Sequence, residues 1–167
     1  GWFQGRMEFG PRALGSRSIL YHAKDKKVND WLNKRLKRTE FMPFAPVTPE
    51  KLAKNCYLNW NKKNFCTPFM TQTFKCTSSF AKNHPAVVHI DRTARPQVIN
   101  SKSNKIYYDV VSKYCQLSKN SALINTSFNQ HEQPIVCSPK DAIKSLLENK
   151  VDVLSIGNYI VTNKGLN

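Results

Sequence analysis

Several familiar signatures are missing from this sequence, and each absence closes off a class of function. No stretch approaches the roughly 20 apolar residues of a membrane-spanning helix, and the first residues lack the pattern of a secretory leader. Neither Gly-x-x-x-x-Gly-Lys-Ser/Thr nor Gly-x-Gly-x-x-Gly occurs, which removes the commonest nucleotide-binding loops. Without a Gly-x-Ser-x-Gly elbow, a serine nucleophile is a poor reading. The five cysteines, Cys56, Cys66, Cys76, Cys115 and Cys137, form no Cys-x-x-Cys pair, so zinc and dithiol redox chemistry are not expected. They read as free thiols of a reducing cytosol, and the protein as cytoplasmic. Acidic residues are scarce as well: 11 Asp and Glu stand against 26 Lys and Arg, a net charge of +15. Such an excess suits nucleic acid, phosphorylated small molecules or plain solubility, and charge alone does not choose among them.

What is present fits one globular domain. The chain has 167 residues, 40% of them hydrophobic and 22% charged. It opens on Gly1-Trp2-Phe3-Gln4-Gly5 and runs straight into a dense motif, an opening expected of a piece of a longer protein.

Residues 16–23 predict a strand. Over 26–37, Val28, Trp31, Leu32 and Leu36 recur at three- and four-residue spacing, an amphipathic helix. Pro43, Pro46 and Pro49 then favour an extended segment. Thr48-Pro49 predicts the N-cap and first turn of a short helix to about Asn55. A strand is expected within 67–77 and a buried, β-branched strand over 86–90. Residues 105–117 predict a helix with Ile106, Val110, Tyr114 and Leu117 on its apolar face, and 122–125 a buried strand. Ser138-Pro139-Lys140-Asp141 is a clear helix start. Residues 151–156 and 159–162, hinged at Gly157-Asn158, predict the closing strands. The fold class expected is α/β, a twisted mixed sheet with packed helices.

Polar and conformationally special residues collect in four segments. In the first, residues 5–18, three glycines and a proline fix a tight path from which Arg6, Arg12 and Arg17 project. Guanidinium forks suit phosphate oxygens, and equally suit a structural turn in which they pair with Glu8. The second, residues 34–40, ends the amphipathic helix with Lys37 and Arg38, where cations complement the helix dipole or reach an anion. The third, residues 89–97, ends a predicted strand in Asp91, Thr93 and Arg95, with His89 read as a core histidine satisfied by one hydrogen bond. The fourth, residues 123–136, follows a buried strand with Asn125, Thr126 and Ser127, whose amide, hydroxyl and backbone donors can hold phosphate or a carbonyl oxygen.

These segments, in this order, resemble the C-terminal domain of the O-carbamoyltransferases that decorate nodulation factors and antibiotics. The matching text is GWFQGRMEFGPRALGSRSIL, NKRLKRTEFMPFAP, PAVVHIDRTARPQ, LINTSFNQHEQPIVCSPKDAI and the closing DVLSIGNYIV. The resemblance implies a YrdC-like fold, similar to threonylcarbamoyl-adenylate synthases. It also implies a partner: an N-terminal, metal-holding transferase domain of the same full-length chain. The implied chemistry joins carbamoyl phosphate and ATP, with Mg²⁺, into carbamoyl adenylate, which the other domain passes to a hydroxyl acceptor. By position in the motifs, Lys37, Arg95 and Ser127 are the implied catalytic residues, with Arg12, Arg38 and Asn125 binding the nucleotide. Two departures stand out: Met42 where many members have arginine, and Gln130-His131 where many carry a glycine-bearing turn. The rival readings are a basic nucleic-acid-binding module and an interaction domain without catalysis. Trp31, Phe41 and Phe44 fall at helix-core or proline-flanked positions rather than among cations, which speaks against base stacking.

Overall fold

The computed structural model describes residues 1–37 and 44–163. Arg38, Met42 and Phe41 lie outside the described residues. In chain order the elements are β1 (Trp2–Phe3), β2 (Arg17–His22), α1 (Lys27–Arg35), β3 (Ala45–Pro49), α2 (Glu50–Cys56), β4 (Phe74–Lys75), α3 (Ser78–Asn83), β5 (Thr93–Ala94), β6 (Gln97–Ile99), α4 (Lys105–Ser118), β7 (Leu123–Ser127), α5 (Pro139–Leu147), β8 (Val153–Ile156) and β9 (Tyr159–Thr162). Single 3-10 turns occur at Thr67–Phe69 and Pro85–Val87. The fold is mixed α/β, as the alternation in the sequence predicts. The chain forms two compact units and passes between them inside β2, α1 and β7.

The first unit holds residues 1–20, 30–37 and 126–163. Its sheet is mixed: β1 is antiparallel to β2 and parallel to β8, and β8 turns at Gly157-Asn158 into antiparallel β9. Trp2, Phe3, Ile19, Leu32, Leu36, Phe128 and Leu154 are buried in this unit. Helix α5 packs on β8 through its buried residues Ala142 and Leu146. Burying a leucine of this kind is worth about 1.5–3 kcal/mol. Its start is the one the sequence announces. Ser138 Oγ accepts from the Asp141 amide, Asp141 Oδ2 accepts from the Ser138 amide at 2.8 Å, and Pro139 takes the first helical position.

In the second unit β3 is central, parallel to β6 and antiparallel to β7. Helices α2 and α4 pack against β3, whose residues are all buried. Strands β4 and β5 form a separate two-stranded ladder. The Tyr57 ring lies edge-on to Phe80 at 5.1 Å, and Phe80 stacks on His84 at 4.6 Å. Tyr57 shares a 2.7 Å hydrogen bond between its hydroxyl and that of Thr48, so the buried phenol is satisfied.

Four expectations are corrected here. Residues 86–90 are no strand: Pro85 opens a 3-10 turn, the Ala86 amide donates to the Ala23 carbonyl, and Ile90 is exposed. A short β-branched run bounded by proline buries Ala86 and Val87 equally well in a turn. Within 67–77 only Phe74–Lys75 is strand. Helix α2 is capped by Pro49, while Thr48 stays in β3 and spends its hydroxyl on Tyr57. Helix α4 does form, but it buries Tyr107, Val111 and Cys115 and leaves Ile106, Val110 and Leu117 exposed. The two stripes differ by one residue, about 100° around the helix, and both are apolar.

Buried His84 sits between two backbone groups. Its Nε2 accepts from the Ser121 amide at 3.1 Å, and its Nδ1 faces the Phe80 carbonyl at 3.3 Å. Accepting at one nitrogen and donating at the other fits the neutral ring, and burial pushes its pKa below the ordinary 6.5. Below that value the unfolded chain takes up a proton that the folded ring refuses. Stability therefore falls as pH drops through 6.5 toward the lower folded pKa. Half-buried His89 is shifted the same way, again by desolvation. Melting temperature followed from pH 7.5 downward should decline more steeply in the natural chain than in His84→Gln. Equal slopes would contradict this assignment.

Candidate functional site

The glycine-rich first segment owes its shape to Glu8 and Arg17. Glu8 Oε1 accepts from the amides of Leu14 (2.7 Å), Ser16 (2.6 Å) and Arg17 (3.3 Å). Arg17 does not project, contrary to the expectation above. It is buried, with Nη1 on the carbonyls of Gln4 (2.9 Å) and Ser16 (3.1 Å), Nη2 on that of Gly5 (3.0 Å), and its guanidinium 3.5 Å from the centre of the Phe3 ring. A charged fork placed under a loop neck this way is a structural clamp. Burial pulls its pKa down, and the Glu8 carboxylate opposes that shift. Gly10 and Gly15 turn the loop at φ 111° and 114°, conformations open to glycine. Arg6 and Arg12 remain exposed on it.

Lys37 follows α1 in the left-handed conformation, φ 55°, with its amide on the Lys34 carbonyl, and its side chain is exposed. Arg35, in the same segment, ends the helix as a structural anchor. Its Nη2 meets Asp152 at 2.7 Å, its Nε donates to the Asn149 carbonyl, and its guanidinium lies 4.9 Å from the centre of the Trp31 ring. Trp31, expected in the helix core, is partly exposed beneath that cation.

After β7 the chain makes a compact loop. Ser127 Oγ donates to Asn129 Oδ1 at 2.6 Å, and Asn129 Nδ2 donates to the Gln133 carbonyl at 2.8 Å. The Phe128 amide donates to the Arg17 carbonyl, and the His131 amide to the Leu36 carbonyl, at 3.1 Å each. The first unit thus ties the segment carrying Ser127 both to the neck of the Arg12 loop and to the residue before Lys37. The loop's left-handed residue is Glu132, φ 61°, so the turn survives without glycine.

In the second unit Arg95 is half-buried between β5 and β6, and its Nη1 donates to the Met70 carbonyl at 3.1 Å. Asn125 is buried in β7, where its Nδ2 donates to Gln97 Oε1 at 2.7 Å. Arg95 and Gln97 are two residues apart, so one chain segment carries the candidate cation and holds the candidate amide. His89 shares a 3.0 Å hydrogen bond with Thr93 Oγ1, the single bond expected of it, though it is half-buried rather than core. An open cleft of about 350 Å³ is lined by Lys75, Thr77, Ser78, Asp91 and Arg92, the last in the left-handed region at φ 65°. In the first unit a cleft of about 310 Å³ is lined by Gln133, Ile135, Cys137, Asp141 and Lys144, among others. None of the described candidates, Arg12, Lys37, Arg95, Asn125 and Ser127, lines either cleft. No group of three His, Cys, Asp or Glu side chains suited to a metal ion occurs among the described residues.

A fold of this class, with cation-bearing loops around mixed-sheet strands, meets a direct family match. Residues 1–163 fit the family model described as Carbamoyltransferase C-terminus, and the chain belongs to that family. It is 41% identical over 159 residues to an uncharacterized protein of Methanocaldococcus jannaschii, covering 95% of this chain and 30% of that one. Nodulation protein NolO of Bradyrhizobium diazoefficiens is 36% identical over 165 residues, 98% of this chain and 30% of its own. Nodulation protein NolNO of Sinorhizobium fredii is 37% identical over 166 residues, 98% of this chain and 24% of its own. The chain therefore spans a third or less of these relatives.

Glu132 in the left-handed region stores strain of about 1 kcal/mol, which glycine removes at some cost in unfolded-state entropy. Glu132→Gly should raise the melting temperature by about 1–3 °C. A fall would mean that the carboxylate, 3.8 Å from His131 Nε2, contributes more than the backbone loses.

Proposed function

We propose that this chain is the part of a carbamoyltransferase that binds ATP and carbamoyl phosphate and joins them into carbamoyl adenylate. The observation that carries the reading is the tethering, within the first unit, of three motif segments bearing Arg12, Lys37 and Ser127, in a chain of the carbamoyltransferase C-terminus family. Two polyanions repel each other, and fixed cations lower the cost of their approach and steady the charge on the leaving groups. The balance requires one water. Water cleaves carbamoyl phosphate into carbamate and inorganic phosphate, and a carbamate oxygen then bonds the α-phosphorus of ATP as the bond to pyrophosphate breaks.

Lys37 and Arg95 each hold a phosphate group in this reading. Arg95 enters with one donor anchored on Met70, which limits the freedom its fork loses on binding. Ser127 faces a competition, because its proton is engaged by Asn129. Phosphate takes that proton only as Asn129 turns away. Asn125 is a nucleotide-binding amide in this reading, and its Nδ2 donates to Gln97 Oε1 of β6, on the far side of β3. Arg38 completes the cation set in the family pattern. Mg²⁺ would accompany the ATP phosphates and neutralise part of their charge. The 167 residues bind the substrates without carbamoylating an acceptor, which is the work of the remaining length seen in the relatives. No helix among the described residues is long and apolar enough to cross a membrane.

The test is titration with a fluorescent, non-hydrolysable ATP analogue plus Mg²⁺ at physiological salt, with a short nucleic-acid duplex as competitor. Saturable binding indifferent to the duplex is expected. Lys37→Ala and Arg95→Ala should each weaken it about tenfold or more, the scale of a lost charge-assisted hydrogen bond. Melting curves separate lost contact from lost fold for Arg95, which also braces Met70. Unchanged affinity in both variants overturns the assignment. Duplex binding with a steep salt dependence, and none of ATP, would favour the nucleic-acid reading that the +15 charge allows.

A further inference from the structure

We infer that Glu8 is the positioning residue of the first motif, fixing the loop so that Arg12 is presented to substrate. The inference rests on the ATP reading for what Arg12 meets, and on the geometry alone for what Glu8 does. One carboxylate oxygen collects three backbone amides, two of them at 2.7 Å or less, from residues that follow Arg12. These charge-assisted bonds pull the returning strand of the loop back to the residue that leads into it. Between Glu8 and Leu14 lie five residues, Phe9, Gly10, Pro11, Arg12 and Ala13. Their path is therefore closed by the Leu14 bond at one end and turned by Gly10 at φ 111°.

The neck below is closed independently. The Gln4 amide donates to the Ser16 carbonyl at 2.9 Å, and Arg17 gathers the carbonyls of Gln4, Gly5 and Ser16. Glu8 thus orders the upper loop and leaves the sheet below untouched. Its second oxygen, Oε2, is enclosed and has no hydrogen-bond partner among the described residues. Enclosing a carboxylate oxygen in this state costs free energy. A surface loop needing only a turn has no use for that cost. A loop needing one arginine in one place does, because without the three amide bonds its glycine- and proline-directed path has several alternatives.

The experiment compares Glu8→Ala, Glu8→Gln, Arg12→Ala and the double variant Glu8→Ala/Arg12→Ala. Amide hydrogen exchange reports the loop, melting temperature the fold, and the fluorescent ATP analogue the site. In Glu8→Ala, exchange at Leu14, Ser16 and Arg17 should quicken at least tenfold while β1 and β8 stay protected. Affinity should fall about as far as in Arg12→Ala, and the double variant should be no worse than either single one. Glu8→Gln, which keeps an acceptor oxygen, should recover most of the affinity and protection. Additive losses, or unchanged exchange in Glu8→Ala, would overturn the inference. If the natural chain fails to bind the analogue, the ATP reading is lost, and the exchange pattern still decides the role of Glu8.

Discussion

The first unit depends on one buried cation. Arg17 takes part in the structure through backbone and side chain alike. Its side chain holds three carbonyls and covers Phe3, its amide reaches Glu8, and its carbonyl receives Phe128 from the loop after β7. Its own strand pairs it with Phe3 of β1. Burying a guanidinium is unfavourable unless its donors are met and its charge answered; here backbone carbonyls take both terminal nitrogens and the nearby Glu8 carboxylate answers the charge. The glycine-rich segment can then be irregular and still fixed, because irregular backbone around a satisfied charge has nowhere else to send its carbonyls.

A second constraint acts where α1 ends. Lys37 leaves the helix in the left-handed conformation, and the Leu36 carbonyl it exposes is taken by His131. A helix terminus and a loop separated by more than ninety residues thus satisfy each other. The loop reaches that position through Glu132, which adopts the backbone shape that glycine takes more cheaply. At this turn the chain therefore meets a left-handed position with a non-glycine residue. Arg35 and Asp152 add a partly exposed ion pair between the same helix and the turn before β8, with the Trp31 ring centre 4.9 Å from the guanidinium.

Much of this was legible in the residues. Ser138-Pro139-Lys140-Asp141 specifies its helix start through contacts only three residues long. The Gly157-Asn158 turn between β8 and β9 is equally local. The four polar segments stood out as candidates because their composition departs so far from the sheet and helix patterns around them. Less legible was the division of labour inside each segment. Arg6, Arg12 and Arg17 are equivalent by type and spacing, yet two face solvent and one is a clamp. Glu8 appeared only as a possible ion-pair partner for those arginines, whereas its oxygen serves amides that no side-chain pattern advertises.

By itself, then, the sequence determined what nearest neighbours settle: a capped helix, a glycine-bearing turn, extended proline-rich backbone, and the family whose motifs these are. Tertiary structure decided which side of each element is interior. On α4 the stripes of Ile106, Val110 and Leu117 and of Tyr107, Val111 and Cys115 are both apolar, and only packing against β3 selects the second. At residues 86–90 the same ambiguity is resolved as a turn, since Ala23 supplies a carbonyl where a strand would need a neighbour. The physical reason is common to all these cases. Hydrophobicity and charge are properties of a residue, whereas burial and pairing belong to whatever distant part of the chain arrives beside it.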